Sequence, residues 1–432
     1  MNRALRHGLK ALLIVVAWPG AAQVGLFTAP LDDPAIQYQS GDLRDPVSSL
    51  QQRIDRGEAR LEFSPKYGYL EAVLKQLNVP VSSQVLVFSK TSLQLNRISP
   101  QRPRAIYFND SVYVGFVQHG DVEVSAVDPE KGVIFYTLAQ RRVEKPKFVR
   151  REQCLECHVT VNTMKVPGSL VRSVFPDSTG EPRLEAGSFL TDHNSPLSQR
   201  WGGWYVTGTH GDERHMGNVV VKSLRHPERL DREAGANVTD LKGRVNTTPY
   251  LSPHSDLVAL MVLEHQTRMH TLITRVSYEA RLAMKNQKSP EETTRQVASL
   301  VEALLRYLLF ANEAPLRDPV QGTSNFRAEF EARGPQDRQG RSLRQMDLTR
   351  RMFKYPCSFL IYSEAFDALP SAAKELLYRR LWEVLSGADR SREVAGLSVA
   401  DRRAVLEILI DTKPGLPDYF RAGEDVVAVG RQ

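Results

Sequence analysis

The hydrophobic and polar positions divide the chain into a first half with strand-like patterns and a second half with helical spacing. Between residues 84 and 138, short apolar runs alternate with Asn, Asp, Gly and Pro clusters, which is typical of hairpins in an antiparallel sheet. Shorter strand signals follow this region. The predicted strands are Val85–Phe88, Ala105–Phe108, Val112–Val117, Val122–Val127, Val133–Leu138, Leu170–Phe175, Phe189–Leu190, Trp204–Thr207 and Asn218–Val221.

From about residue 252 onward, apolar residues recur every three or four positions, which predicts α-helices. The charged, Arg- and Gly-rich stretch at residues 327–344 predicts a mobile loop between two helical groups. We therefore predict an α+β fold, with an antiparallel β-rich N-terminal half followed by an α-helical C-terminal half. The predicted helices are Val47–Arg56, Leu257–Ala283, Pro290–Ala311, Ser342–Phe353, Ser358–Phe366, Ser371–Ser386 and Ser398–Asp411.

The first 22 residues have the three parts of a secretory signal peptide. Arg3, Arg6 and Lys10 precede the apolar stretch Ala11–Trp18, and small residues lead to Ala22. An uncleaved membrane anchor is the alternative. The predicted units are residues 1–22 as the signal peptide, 23–60 as a leader, 61–250 as a β-rich domain and 251–432 as a helical domain.

The net charge of the chain adds little to the predicted fold and function. Removal of three cations with the signal peptide lowers the formal net charge from +7 to +4 (7 − 3). That excess suits an acidic redox partner protein, and the absence of a basic run with interleaved aromatic residues argues against nucleic acid. No other apolar run reaches the roughly 18–20 residues that cross a bilayer, so no membrane span is predicted after signal cleavage.

Two of the three cysteines lie in one motif, Cys154-Leu155-Glu156-Cys157-His158. Cys-x-x-Cys-His is the signature for covalent haem attachment, because the two thiols lie on one helical turn beside an imidazole. A redox dithiol, a zinc site that recruits Cys357, and a chance match are the alternatives. Cys357 itself lies in an apolar segment, which predicts a buried core residue.

On these five residues, and on the Val166–Gly168 turn that follows, the chain resembles the c-type cytochromes. The motif inside a β-rich region also has a weak likeness to PAS-like haem-c sensor domains. The resemblance implies one covalent haem c per chain, with Cys154 and Cys157 as thioether anchors and His158 as an axial iron ligand.

A second axial ligand would be Met or His. His210, His215 and Met216 crowd one loop between two predicted strands, and His265 lies on the apolar stripe of the longest predicted helix. The aromatic run Trp201–Tyr205 would wall a haem pocket or form ordinary core. His193 and His254 lie in turn sequences and are predicted at the surface.

The sequence thus predicts a periplasmic monohaem c-type cytochrome that transfers one electron to or from a redox partner. Two alternatives remain open. One is a haem-based sensor or binding module with open or weakly ligated iron. The other is a peroxide-reducing enzyme in which His210, with Glu213 or Arg214, supplies a distal acid–base pair.

Overall fold

The computed structural model describes residues 31–389, 391 and 396–422. The predicted signal peptide at residues 1–22 lies outside these residues. The strands are β1 Val85–Val87, β2 Arg104–Phe108, β3 Val112–Phe116, β4 Val122–Asp128, β5 Gly132–Leu138, β6 Phe148–Arg150, β7 Arg172–Val174, β8 Ser188–Leu190, β9 Trp204–Tyr205, β10 Gly208–Thr209 and β11 Gln321–Gly322. The helices are α1 Pro46–Asp55, α2 Leu70–Gln76, α3 Leu155–His158, α4 Arg232–Gly235, α5 Leu257–Lys285, α6 Pro290–Leu308, α7 Phe326–Glu331, α8 Glu364–Asp367, α9 Ser371–Leu385, α10 Val399–Thr412 and α11 Tyr419–Ala422.

Seven strands form one antiparallel sheet in the order β6-β5-β4-β3-β2-β1-β9. Consecutive strands are neighbours from β1 to β6, as sequential strands commonly are, and short turns join β2 to β5. Because β9 adds to the outer side of β1, β6 and β9 form the two opposite edges. The chain between them, residues 151–203, therefore leaves the sheet at one edge and returns at the other.

Side chains alternate between the two faces of this sheet, and both faces are buried. Phe135 and Val133 pack into a core shared with α5 and the later helices. The intervening Ile134 and Tyr136 pack into a second core shared with α1, α2 and the segment before them. The sheet is thus covered by helices on each side, and the predicted α+β class is confirmed.

The long helix α5 crosses the first face and is buried along most of its length. Its N-cap is Asp256, whose side chain accepts hydrogen bonds from the amides of Val258 and Ala259 at 2.9 and 3.0 Å. The same carboxylate also accepts hydrogen bonds from Thr323 and Ser324, so it joins the start of α5 to the segment that precedes α7.

Two predicted elements are wrong. Residues 342–353 form turns rather than a helix, because Leu348 has a left-handed φ of 59° and an isolated bridge pairs Met346 with Phe353. Residues 218–221 form no strand, because Asn218 has a φ of 66°. The side-chain amide of Asn218 instead bonds to both backbone groups of Val206 and so replaces a strand partner there.

Other helix predictions differ in part. The predicted loop at residues 327–344 contains most of α7, because Phe326 and Phe330 lie four positions apart and both bury their rings. The predicted helix Ser358–Phe366 divides into a 3₁₀ turn at Phe359–Tyr362 and α8. Within the described residues, none of the helices combines the length and the apolar character that a membrane crossing needs.

Candidate functional site

The Cys-x-x-Cys-His segment begins where edge strand β6 ends. A 3₁₀ turn, Glu152–Cys154, leads into the single helical turn α3. Arg151 holds this junction to β5, because its amide donates to the carbonyl of Phe135 at 2.9 Å and its Nε donates to Thr137 Oγ1 at 2.8 Å. The motif therefore lies on a fixed edge of the sheet.

The two thiols of the motif differ in exposure. Cys154 is partly buried against the core, whereas Cys157 is exposed, and both are free. Burial, and then the negative charge of Glu123, raises the pKa of Cys154 to about 11. Dithiol redox catalysis needs a lowered thiol pKa, so the shift at Cys154 disfavours that alternative.

The imidazole of His158 is held on two sides. Its ring centroid lies 4.6 Å from that of Phe135, and its Nδ1 lies 2.8 Å from the carbonyl oxygen of Gly168. A carbonyl accepts only, so Nδ1 carries the proton and Nε2 carries the lone pair. No described residue bonds to Nε2, which leaves it as a nitrogen competent to bind a metal.

The loop after α3 folds back and brings the carbonyl of Gly168 to His158 Nδ1. Thr160 caps a 3₁₀ turn, and Met164 and Lys165 both adopt left-handed φ angles, 54° and 61°, that reverse the chain. The amide of Gly168 then donates to the carbonyl of His158 at 3.1 Å. This return brings Gly168 so close to α5 that an added Cβ would lie 2.6 Å from Thr271 Oγ1.

Burial lowers the pKa of His158, and the hydrogen bond to Gly168 partly opposes this effect. Two further side chains act on the same imidazole with opposite signs. The positive charge of Arg104 lowers its pKa, and the negative charge of Glu123 raises it. The ring is therefore neutral near pH 7, which is the form in which histidine binds metals.

The predicted distal ligands His210 and His215 lie together but have their lone pairs engaged. Their ring centroids are 4.8 Å apart. His210 Nε2 accepts a hydrogen bond from the amide of Asn237, and His215 Nδ1 accepts one from the amide of Gly217. The proton of each neutral ring therefore lies on the other nitrogen, which is Nδ1 in His210 and Nε2 in His215. Neither histidine has a free lone pair for iron in this arrangement.

Met216 and His265 are also occupied by other partners. Met216 is fully buried, and its sulfur lies 3.6 Å from the hydroxyl of Ser173. His265 contacts Ser358 Oγ through Nε2 at 2.7 Å and His193 through Nδ1 at 2.8 Å. In the described parts of the chain, no hydrogen bond or ring contact joins any of the four candidate ligands to His158.

The predicted acid–base groups beside His210 are likewise engaged. Arg214 pairs with Glu233 at 2.8 Å, and Glu213 accepts a hydrogen bond from the amide of Arg317. The aromatic run nearby is core: Trp201 is fully buried, with its ring centroid 5.3 Å from that of His215.

A buried polar cluster around His193 was missed by the sequence reasoning, which predicted this residue at the surface. His193 is 1% exposed and stacks on Tyr307 with centroids 4.0 Å apart. Close by, Arg200 and Glu264 form an ion pair with side-chain exposures of 3% and 0%. The Asn-Ser-Pro turn after His193 masked the signal, since a local pattern does not report a partner 72 positions away.

Comparisons with known proteins give no relative: no family model, no curated protein and no solved structure matches the chain. In addition, the described residues contain no group of three or more His, Cys, Asp or Glu that could hold a metal ion. The resemblance to c-type cytochromes and to PAS-like haem-c sensor domains is therefore wrong as a family assignment. Any role of Cys154, Cys157 and His158 rests on their own chemistry, and the chain is assigned to no family.

Proposed function

We propose that the chain binds one haem covalently through Cys154 and Cys157, with His158 on the iron, and exchanges single electrons with a redox partner protein. The observation that carries this proposal is the state of His158. Its Nδ1 proton is held by the Gly168 carbonyl, and its Nε2 lone pair has no partner among the described residues. A backbone carbonyl on the second nitrogen is how proteins orient a metal-binding imidazole.

A haem site makes a smaller demand on the protein than a metal ion bound by side chains alone. The porphyrin itself supplies four ligands, so one imidazole and two anchoring thiols suffice. The bound haem would supply a reversible change between ferric and ferrous iron. The chain would supply the His158 nitrogen to the haem, held in orientation by Gly168, together with the apolar surface of Phe135 against that imidazole and two thiols that are not in a disulfide.

The location follows from the same argument. The N-terminal pattern predicts export, and haem attachment to Cys-x-x-Cys-His in bacteria takes place outside the cytoplasm. Cys157 is exposed at the edge of the sheet, within reach of a partner protein. We therefore propose a location in the periplasm or among the secreted proteins.

The test is production of the full chain in a bacterial host that is competent for covalent haem attachment. We expect a coloured protein whose intact mass exceeds that of the mature polypeptide by the mass of one haem. Its haem absorption band should stay with the polypeptide after denaturation. Stepwise reduction and reoxidation should then titrate one electron per chain.

Cysteine variants separate attachment from adventitious binding. The double variant Cys154→Ser/Cys157→Ser should lose the mass increment, whereas Cys357→Ala, which removes a fully buried thiol elsewhere, should keep it. A colourless wild-type protein with the bare polypeptide mass would refute the proposal.

A second candidate function is a sensor or binding module with an open position on the iron. The observation that favours it is the engagement of His210, His215, Met216 and His265 by protein partners. Absorption spectra of the ferrous protein with carbon monoxide distinguish the two. Rapid carbon monoxide binding supports the sensor, and a spectrum unchanged by carbon monoxide supports the electron carrier.

A further inference from the structure

An ion pair lies on the sheet face that carries the His158 ring. Arg104 Nη1 donates to Glu123 Oε2 at 2.7 Å, and the two side chains are 20% and 16% exposed. Such a pair is screened by solvent less than an exposed one. In the register of β4 and β5, Ser125 faces Phe135, and Glu123 faces Thr137 one step further along the same face. The pair is therefore adjacent to the Phe135 ring on which His158 packs.

The carboxylate is fixed in place by a third residue. Gln94 Nε2 donates to Glu123 Oε1 at 3.0 Å, and Gln94 Oε1 accepts from the amide of Asp121 at 2.8 Å. The guanidinium is less satisfied, because Arg104 Nε is buried without a partner in the described residues. The Glu123 carboxylate, held by two hydrogen-bond donors, and the Arg104 guanidinium, with one unpaired N–H, thus lie on the same side of the sheet as the His158 imidazole.

Both charges reach the attachment site. Glu123 lies on the same sheet face as the Phe135 ring that His158 contacts, and Arg104 is bonded to Glu123 on that face. Charges of opposite sign near an iron centre act in opposite directions on its reduction potential, because reduction lowers the positive charge of the iron by one.

We propose that the Arg104–Glu123 pair sets the reduction potential of the centre bound at His158 by balancing two nearby charges. The two side chains act on the iron through their charges alone and form no bond to it. This inference rests on the proposed haem attachment.

The test is potentiometry of the haem-loaded protein and of three variants. Glu123→Gln leaves the cation unbalanced, so we expect the potential to move to more positive values. Arg104→Gln leaves the anion unbalanced, so we expect a shift to more negative values. The double variant Arg104→Gln/Glu123→Gln should return close to the wild-type potential.

A matched control is the Arg351–Asp401 pair, whose side chains are 23% and 17% exposed and which lies in the helical half. Arg351→Gln and Asp401→Asn should leave the potential unchanged. Shifts of the same sign in both site variants, or no shift in either while haem remains attached, would overturn this inference. Failure of the wild type to acquire haem would instead overturn the proposed function.

Discussion

At the scale of single residues, the state of His158 depends on where the carbonyl of Gly168 lies. Gly168 approaches α5 so closely that an added Cβ would lie nearer to a side chain than ordinary packing allows. The nearest group, Thr271 Oγ1, is itself held by the carbonyl of Thr267 at 3.1 Å and cannot easily move away.

Gly168→Ala tests this close approach. We expect a loss of about 1–3 kcal/mol in the free energy of unfolding, as for other overpacked sites, together with a weaker hold on His158. Urea unfolding measures the first effect, and the absorption spectrum of the loaded protein measures the second. Gly396→Ala is the control, since only Ala311 O at 3.8 Å lies near its added Cβ; equal losses in both variants would contradict the argument.

How far residues could be predicted from sequence depended on whether their partners were local. Cys154, Cys157 and His158 are contiguous, and so the motif could be identified directly. The Gly168 contact required a left-handed turn at Met164 and Lys165, residue types that seldom adopt it. The links from His158 to Arg104 and Glu123 depend on sheet register, which no local pattern reveals.

At the scale of elements, the start of α5 is stabilised by more than an ordinary cap. Asp256→Ala removes both cap bonds and leaves the amides of Thr323 and Ser324 without their acceptor. We expect it to cost about 2–4 kcal/mol in the free energy of unfolding. Ser289→Ala, at the exposed capping box of α6, should cost about 1 kcal/mol. Equal costs in urea unfolding would show that the second set of bonds contributes nothing.

The ion pair of Arg200 with Glu264 ties α5 to the loop that carries His193. Arg200→Met leaves the buried Glu264 carboxylate without its cation, and at pH 8, above the pKa of about 7 of that group, we expect a cost of about 3–5 kcal/mol. The double variant Arg200→Met/Glu264→Met should cost less than the single variant, because no unpaired charge remains. Thermal unfolding of the two variants gives the comparison, and a larger cost for the double variant would be the contrary result.

Strands and helices could be predicted where a single hydrophobic periodicity extended over the whole segment. The hairpins from β2 to β5 and the helices α5, α6, α9 and α10 have strong periodicity and local turn or cap signals, so tertiary contacts reinforce the local preference. The predicted helix at residues 342–353 failed because tertiary contacts prevailed. There, Arg344 packs between the rings of Phe330 and Phe359, with its guanidinium 4.7 and 4.5 Å from their centroids.

At the scale of the whole molecule, buried histidines make stability depend on pH. Burial lowers the pKa of six of them, including His158 and His210. The largest shifts are at the other four: to about 3 for His215 and His265, to about 4 for His270, and well below the ordinary value for His193. The unfolded chain takes up these protons near pH 6.5 and the folded chain does not. Stability is therefore present above that pH and is lost as the pH falls.

Carboxyl groups whose pKa is raised by burial oppose this trend, and the largest shifts are at two of them. Burial raises the pKa of Glu264 and Glu313 to about 7, so the folded state holds those protons between about pH 4.5 and 7 and gains stability as the pH falls through that window. The four most strongly shifted histidines outnumber these two carboxyl groups by two (4 − 2). We expect the free energy of unfolding to fall by about 2–3 kcal/mol per pH unit between pH 6 and 4.5.

Urea unfolding of the unloaded protein at several pH values measures this slope. His270→Gln should reduce it by about one proton, equivalent to roughly 1.4 kcal/mol per pH unit. His226→Gln, at an exposed histidine, should leave it unchanged. A flat profile in the wild type would contradict the assignment of neutral buried histidines.

The two edges of the sheet have a consequence for how the molecule responds to cleavage. Residues 151–203 run from the end of β6 to the start of β9 across seven strands, roughly 29 Å at about 4.8 Å per strand. Both flanking strands remain paired on their inner sides, so one protease cut within this stretch should not release either fragment. The nicked halves should elute together in gel filtration and part only in denaturant, in the manner of a two-piece protein whose halves recognise each other.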